Sequence, residues 1–292
     1  MARTEATPLR GAGSAGIPGG SAPRRLRRAV ARRAPGWLRL VVRARRFPEP
    51  EIRELDWLVA RGTLAVDVGA NQGAYTYRLA RLVGRGGGVL AVEPMEALAA
   101  ELRGACARLR LPVRVERCAL SAREGEAELF VPVAADGTVL TGFATIDGAA
   151  GGAGRVERVP VRRLDELLGG RTLRVSFIKC DVEGHEMEVF RGAAAVLSRD
   201  RPNLLVEIEQ RHFPEPIGER FAFFRGQGYA GYFLDGAGAL RPVEEFDAML
   251  HQAGGVAGGA GEGAYVNNFI FLPAEGVERA LTGRERRGRR AR

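Results

Sequence analysis

Carboxylates and glycines stand together where the first clear apolar run of the chain ends. The sequence Asp67-Val-Gly69-Ala-Asn71-Gln-Gly73 follows this run and precedes a segment with helical spacing of apolar residues. This order predicts a buried strand, a tight turn and a helix. The next apolar run ends at Glu93, twenty residues beyond Gly73, where a carboxylate could accept hydrogen bonds from ribose hydroxyls. The pattern predicts a nucleoside site at the mouth of a βαβ unit.

The spacing of this turn differs from that of a dinucleotide-binding turn. The pyrophosphate fingerprint is G-x-G-x-x-G, whereas this chain has G-x-N-x-G, with Asp67 two residues before the first glycine. A fixed negative charge beside a pyrophosphate is unfavourable, whereas the α-amino group and sulfonium of S-adenosylmethionine (SAM) suit it. The turn therefore favours SAM as the cofactor, and another nucleotide on the same kind of fold is the alternative.

A second group of polar residues follows two later apolar runs. Ligands of open α/β sheets bind outside the carboxyl ends of the strands, so this group is expected at the same rim as Asp67 and Glu93. Lys179 is the only Lys among the 44 Lys and Arg residues, and we expect it to pair with the carboxylates and order them. The members of the group are Lys179, Asp181, Glu183, His185, Glu209 and His212.

These residue types could carry methyl transfer to a hydroxyl, which is a poor nucleophile and needs a base or a metal. Asp181 is the first candidate for the position beside the transferred methyl group. Glu209 and Glu183 could share a divalent ion such as Mg²⁺ with it, because oxygen ligands suit this ion. Alternatively, His185 or His212 could take the proton at neutral pH. A structural role is the alternative for Glu183, since acids favour helix starts whatever their function.

Strand and helix patterns alternate along the chain and predict an α/β fold with a Rossmann-like, mostly parallel sheet and helices on both faces. Residues 134–156 are rich in Gly and Ala and are expected to form either a lid or a flexible link. A Gly-rich loop at 253–263 precedes the last predicted strand. The predicted strands are 64–68, 89–93, 113–118, 125–132, 156–161, 203–209, 229–234 and 265–272, and the predicted helices include 51–60, 74–84, 95–109, 164–168 and 219–226. A further strand begins at Val175 and ends in the charged residues from Lys179 onward, and the helix after it has Val189, Phe190, Ala194 and Leu197 on its face.

Charge divides the 292 residues into three parts. Residues 1–47 contain twelve Arg and one Glu, lack hydrophobic periodicity, and predict a disordered basic arm. Residues 273–292 contain seven Arg and three Glu and form a basic C-terminal tail. The net charge of the whole chain is +9, so the part between them, the predicted catalytic domain 48–272, is mildly acidic.

Cysteine usage and hydropathy indicate a cytoplasmic protein. The three cysteines lack metal-ligand spacing and lie in or near apolar runs, so we expect buried free thiols. No run approaches the roughly 18 apolar residues of a membrane span, and the N-terminus does not read as a secretory signal. The predicted partner is a small molecule. The oligomeric state is not predicted.

Several of these motifs resemble those of the FkbM family of SAM-dependent methyltransferases. The matching strings are VDVGANQG, AVEP, FIKCDVEGHE, LLVEIE and the closing NNFIF, and they span roughly residues 60–272. The resemblance implies a seven-stranded class I methyltransferase fold with an antiparallel C-terminal hairpin. It also implies methyl transfer to oxygen on sugars, polyketides or other natural products.

The resemblance further implies roles for individual residues in cofactor binding. Asp67, Gly69, Asn71 and Gly73 would hold the methionine portion of SAM, and Glu93 would hold the ribose. Residues 118–121, Ala119 among them, would border the adenine.

Two alternatives differ in what the protein acts on. An N-methyltransferase or a macromolecule-directed methyltransferase could use the same fold, although Asp181-Val-Glu-Gly departs from the N/D-P-P-Y/F tetrad typical of enzymes that methylate planar amines. A nucleic-acid-binding or anionic-surface-binding protein could use the Arg-rich arms. The two basic arms contain only two aromatic residues, Trp37 and Phe47, and not the repeated aromatics of single-strand binders, and the core is acidic, so this alternative ranks lower.

Overall fold

The computed structural model describes residues 40–41, 49–146, 153–253 and 265–290. In chain order its helices and strands are α1 (Glu51–Leu58), β1 (Leu64–Val68), α2 (Ala74–Val83), β2 (Gly88–Val92), α3 (Glu96–Arg108), β3 (Val113–Glu116), β4 (Ala119–Leu120), β5 (Gly125–Pro132), β6 (Gly154–Arg162), α4 (Leu164–Leu167), β7 (Val175–Cys180), α5 (Glu186–Arg191), α6 (Ala194–Asp200), β8 (Asn203–Glu207), α7 (Gly218–Gly226), β9 (Tyr229–Leu234), β10 (Leu240–Pro242), α8 (Ala248–His251), β11 (Asn268–Pro273) and α9 (Val277–Arg290).

The main sheet is mixed and follows the order β3-β2-β1-β7-β8-β11-β9-β10. Strands β3, β2, β1, β7 and β8 are parallel, whereas β11 is antiparallel to both β8 and β9. In the register of the central strands, Asp67 lies between Ala91 and Lys179. Because the parallel strands share one direction, the residues that follow β1, β2, β7 and β8 emerge at the same edge of the sheet.

Both faces of the sheet are covered by helices, as the apolar runs predict for buried parallel strands. Phe177 and Ile178 are successive residues of β7 and are fully buried in two different clusters, because successive side chains of a strand point to opposite faces. Phe190 and Phe224 pack in the cluster of Ile178, and Leu79 packs in the cluster of Phe177.

The strand count and the C-terminal connection differ from the expectation. The main sheet has eight strands, not seven, because the short β10 pairs with the end of β9. The strands β9 and β11 pair as antiparallel neighbours, but β10 and α8 lie between them in the chain, so they do not form a tight hairpin.

Some strand and helix boundaries also differ from the predicted ones where the chain forms a second sheet, of strand order β4-β6-β5. The predicted strand 113–118 ends at Glu116, and β4 then joins the second sheet together with the predicted strands 125–132 and 156–161. The predicted helix after His185 is two helices, α5 and α6. Between them Gly192 packs so closely that an added Cβ would lie 2.1 Å from the carbonyl oxygen of Ser121. The last strand begins at Asn268, not at residue 265.

The predicted basic arm 1–47 lies outside the described residues except for residues 40–41, which are helical. Most of the Gly-rich loop 253–263 and residues 147–152 of the predicted lid or link also lie outside them. Within the C-terminal tail, α9 contacts α1 through a hydrogen bond of 2.6 Å from Arg284 Nε to Glu54 Oε2. In the part of the chain that the structure describes, no helix has the length and apolar character that crossing a membrane requires.

Candidate functional site

A cavity that is partly open to solvent lies at the carboxyl edge of the main sheet. The residues that follow β1, β2 and β7 form its floor, β4 and β5 form one wall, and part of the segment 141–146 forms another. Topology places a ligand site at this edge, and the sequence motifs with candidate chemistry meet there.

Gly69 is the residue at which the turn after β1 requires glycine. Its φ is +74°, and an added Cβ would lie 1.8 Å from the carbonyl oxygen of Asp181. The amides of Gly69 and Ala70 both donate to the carbonyl of Val92 at 3.0 Å. The turn is therefore held to β2 and pressed against the end of β7, and both Gly69 and Asn71 face the cavity.

Gly73 packs against neighbouring side chains. Its φ of +79° also favours glycine, and an added Cβ would meet Leu102 Cδ1 at 2.4 Å and Leu40 Cδ1 at 2.9 Å. Gly73 is absent from the cavity wall. The close approach at Gly73 is thus a packing contact, and its contact with the methionine portion of SAM stays a prediction.

Glu93 is fixed at the cavity by backbone donors. Its Oε2 accepts a hydrogen bond of 2.7 Å from the amide of Asn71, and its Oε1 accepts one of 2.9 Å from the amide of Met95. Asn71 adopts a left-handed φ of 47°. The side chain of Glu93 is buried, and this burial raises its pKa to about 7 although the two amides oppose the shift. Glu93, the residue predicted to bind the ribose, therefore lines the cavity in a fixed orientation.

Asp67 lies behind the cavity and does not line it. It is buried, and its Oδ2 accepts a short hydrogen bond from Thr76 Oγ1. Among the described residues its Oδ1 has no hydrogen-bond partner. Burial raises the pKa of Asp67, and the charge of Lys179 opposes the rise. The contact of Asp67 with the methionine portion of SAM stays a prediction, and the geometry gives this residue a position one layer deeper.

The predicted adenine border is an apolar wall. Ala119 lines the cavity together with Cys118, Leu120 and Leu129. All three cysteines of the chain are free and buried, as predicted. Burial raises the pKa of Cys118 to about 12, so the wall carries no thiolate at neutral pH.

His185 also lines the cavity, at the start of α5. Its Nε2 lies 3.0 Å from Ser121 Oγ, within hydrogen-bond distance. The imidazole is thus oriented by the residue that follows β4, on the same side as the predicted adenine border. This location favours a role near the cofactor over a role at the acceptor hydroxyl.

Lys179 and Asp181 form an ion pair at the end of β7, as expected for the only Lys of the chain. The Nζ of Lys179 donates to Asp181 Oδ2 at 2.5 Å and lies 4.9 Å from the centre of the Tyr75 ring. The Lys179 side chain is 3% exposed, whereas the Asp181 side chain is 29% exposed and lines the cavity. Burial lowers the pKa of Lys179, but the surrounding carboxylates, Asp181 foremost, outweigh burial and raise it.

Glu183 and Glu209 are connected by Arg211, which the sequence interpretation did not single out. Arg211 donates to Glu183 Oε2 at 3.1 Å and to both carboxylate oxygens of Glu209. Tyr265 donates to Glu209 Oε2 at 2.6 Å, and His212 Nε2 lies 3.1 Å from Glu183 Oε2. Burial opposes ionisation of Glu209, but the hydrogen bonds from Arg211 and Tyr265 outweigh it and lower the pKa to about 2.

The carboxylates that converge differ in one member from the predicted metal group of Asp181, Glu183 and Glu209. Within the described residues, the group close enough to share an ion is Asp181, Glu183 and Glu207, whose ligand atoms lie within 4.8 Å of one another. Glu209 is instead bound by Arg211 and Tyr265. The ammonium of Lys179 already neutralises Asp181, and Asn267 Nδ2 donates to Glu207 Oε1 at 2.8 Å. The structure thus corrects the membership of the group and shows protein cations within it.

Several contacts at this edge escaped sequence reasoning. Arg211 and Tyr265 carry no motif of their own; Arg211 reaches Glu183 across 28 residues of the chain, and Tyr265 reaches Glu209 across 56. A signal for Asn267 existed, since it belongs to the closing NNFIF string. Thr141 and Phe143 belong to the Gly- and Ala-rich segment 134–156, and nothing in the sequence indicated which residues they would contact.

A protein-family model matches the part of the chain that forms most of this edge. The family model of the Methyltransferase FkbM domain matches residues 67–230, more than half of the chain. No curated protein matches the sequence.

Solved structures with weak similarity include three methyltransferases. An FkbM methyltransferase from Methylobacillus flagellatus KT is 14% identical with a TM-score of 0.45, and the match covers 84% of this chain and 60% of that one. An O-methyltransferase from Bacillus cereus in complex with SAH is 14% identical with a TM-score of 0.44, covering 85% of this chain and 96% of that one.

A SAM-dependent O-methyltransferase from Thermotoga maritima is 15% identical with a TM-score of 0.40, covering 80% and 69% of the two chains. Similarity at these levels does not transfer a substrate or an activity. The family match rests on the segment that contains the glycine turn, Glu93 and the Lys179–Asp181 pair. The chain belongs to the FkbM family of methyltransferases.

Proposed function

We propose that the protein transfers a methyl group from SAM to a hydroxyl of a small molecule. The observation that carries the proposal is the charge of the cavity wall. Two carboxylates, Glu93 and Asp181, face the cavity, and among the described residues that line it none is Lys or Arg. Such a wall favours a ligand with positive charge and disfavours a pyrophosphate.

The chemistry of the wall matches the parts of SAM. Glu93 offers a carboxylate, fixed by two amides, to ribose hydroxyls. Ala119 and its apolar neighbours offer a surface for the adenine ring. The missing Cβ of Gly69 leaves room where the turn passes Asp181.

SAM supplies an activated methyl group on a sulfonium, which departs as a neutral thioether. The protein then has to position the acceptor and take its proton. Asp181 suits the second task, because Lys179 holds its Oδ2 while the side chain remains partly exposed to the cavity. Burial of Lys179 against the ring of Tyr75 fixes the pair from behind.

The experiment pairs Asp181→Asn with Asp56→Asn. Asp56 is a carboxylate in a surface ion pair of 2.6 Å with Arg78, and it serves as a matched control for the loss of one paired charge. Both variants and the wild type would be incubated with methyl-labelled SAM and a panel of monosaccharides, glycosides and polyketides. Methylated products would be detected by mass spectrometry, and SAM binding by calorimetry.

We expect Asp181→Asn still to bind SAM, because Glu93 keeps its carboxylate at the cavity, and to lose at least about 100-fold in turnover at saturating SAM. Asp56→Asn should keep both properties. Unchanged turnover of Asp181→Asn on an accepted substrate would remove Asp181 from the mechanism. Detection of products methylated on nitrogen would mean that the acceptor is an amine and not a hydroxyl.

A further inference from the structure

Residues Thr141–Ile146 form a roof on one side of the cavity, and one residue of this roof points elsewhere. Thr141, Gly142, Ala144 and Ile146 line the cavity. Phe143, in the 3₁₀ turn Thr141–Phe143, does not line it and is 37% exposed, one of the few large apolar side chains so exposed. The ring of Phe143 is therefore available for a contact outside the cavity.

Two polar contacts hold the ends of the roof. Thr141 Oγ1 lies 3.5 Å from Asn71 Oδ1, in the glycine turn after β1. Thr145 Oγ1 donates to the carbonyl of Glu183 at 3.3 Å, and the backbone of Thr145 exchanges two hydrogen bonds with Phe130 of β5. One end of the roof therefore depends on the cofactor side of the cavity and the other on the end of β7.

Phe143 has its contact with Arg211. The guanidinium carbon of Arg211 lies 5.7 Å from the centre of the Phe143 ring, within the range of a cation–π interaction. Arg211 is itself held by Glu209 and Glu183. The guanidinium is thus fixed before it meets the ring, which lowers the entropy that the contact costs.

Glu183 connects this contact with the end of the roof. Its carboxylate accepts from Arg211 and its carbonyl from Thr145. The residue adopts a left-handed φ of 55°, a conformation that side-chain-bearing residues keep only when their surroundings enforce it. The strained turn therefore presents both of its acceptors to the groups that hold the roof.

We propose that Phe143 and Arg211 are a positioning pair that holds the roof over the bound cofactor and slows its release. The pair makes no contact with the cavity, so it acts through the roof residues on either side of Phe143. The identity of the cofactor rests on the proposed function. The pair itself rests on the three contacts that join the roof to the ends of β1, β7 and β8.

The test measures the dissociation rate of S-adenosylhomocysteine from the full-length protein by stopped-flow displacement with excess SAM. We expect Phe143→Ala to release it about 2–5-fold faster, the factor that corresponds to a partly exposed cation–π contact. Phe143→Tyr keeps the ring and should restore the wild-type rate. Val156→Ala removes another exposed apolar side chain, 56% exposed on β6, and should leave the rate unchanged.

A double-mutant cycle with Arg211→Lys identifies the pair. If the two side chains act together, adding Arg211→Lys to Phe143→Ala changes the rate less than Arg211→Lys does alone. Effects that simply multiply would overturn the pairing. An unchanged rate for Phe143→Ala would also overturn it and leave the proposed function standing, whereas failure of the wild type to bind S-adenosylhomocysteine would remove the proposed function itself.

Discussion

The two halves of the site are held in different ways. On the cofactor side, the glycine turn and Glu93 are fixed by backbone groups: the amides of Asn71 and Met95 bind Glu93, and the carbonyl of Val92 binds the turn. On the other side, which comprises residues 179–183 and 207–212, carboxylates are fixed by other side chains, such as Lys179 and Arg211. The difference separates what local sequence determines from what only the folded chain brings together.

In the half that is held by backbone groups, replacement of Gly69 should cause the largest loss of unfolding free energy. Gly69→Ala places a Cβ against the carbonyl of Asp181, in a left-handed conformation as well, and should cost about 4 kcal/mol of unfolding free energy. Gly137→Ala is the matched control, because Gly137 has φ +78° and open space around the added carbon. It should cost about 1 kcal/mol. Equal losses in urea denaturation would show that the close approach to β7 is unimportant.

The side-chain-held half depends on Lys179. Lys179→Met leaves Asp181 without its buried cation and should cost about 3 kcal/mol of unfolding free energy. Arg78→Met breaks the exposed pair with Asp56 and should cost less than about 1 kcal/mol. Adding Asp181→Asn to Lys179→Met should recover part of the loss. A double variant as unstable as the sum of the singles would mean that the two residues are energetically independent.

Substitutions in the two halves should also differ in their effect on SAM affinity. Glu93→Gln keeps the shape of the side chain but removes the charge that would meet the ribose, so SAM should bind about 10–100-fold more weakly. Glu209→Gln, on the other half, should weaken SAM affinity by no more than about 5-fold, because Glu209 does not line the cavity and acts on it only through Arg211. Calorimetric titration of both variants measures this contrast, and equal effects would erase the distinction between the halves.

The pH dependence of stability should have opposite signs in the two halves. Burial raises the pKa of Glu93 to about 7, so its contribution to stability is complete below about pH 4.5 and is lost as pH rises through 7. The pKa of Glu209 is lowered to about 2, so its contribution is present above about pH 4.5 and is lost as pH falls toward 2. Denaturation at several pH values should show each dependence vanish in the corresponding Gln variant.

Sequence reasoning reached the backbone-held half because its rules are local. A strand end, a glycine with positive φ and a carboxylate twenty residues later are visible in one stretch, and Gly69, Asn71, Glu93 and Ala119 all line the cavity. Gly73 carried the same signal but serves packing against Leu102. The motif cannot distinguish a glycine beside a ligand from one beside a helix.

In the other half, the sequence predicted which carboxylates lie at this edge, but it did not predict most of their hydrogen-bond partners. The ends of β7 and β8 placed the carboxylates at one edge, and Lys179 pairs with one of them. Which carboxylate remained available depended on the contact of Arg211 with Glu183 and on that of Tyr265 with Glu209. These two contacts join residues 28 and 56 positions apart, and such long-range contacts leave no periodicity or spacing in the sequence.

Carboxylates around a cavity that no described Lys or Arg lines should select a positively charged nucleoside that lacks phosphate. Titrating the wild-type protein with SAM and with NAD in one calorimetric series tests it most directly. We predict saturable binding of SAM and none of NAD at the same concentrations. Binding of NAD that equals or exceeds that of SAM would contradict the account.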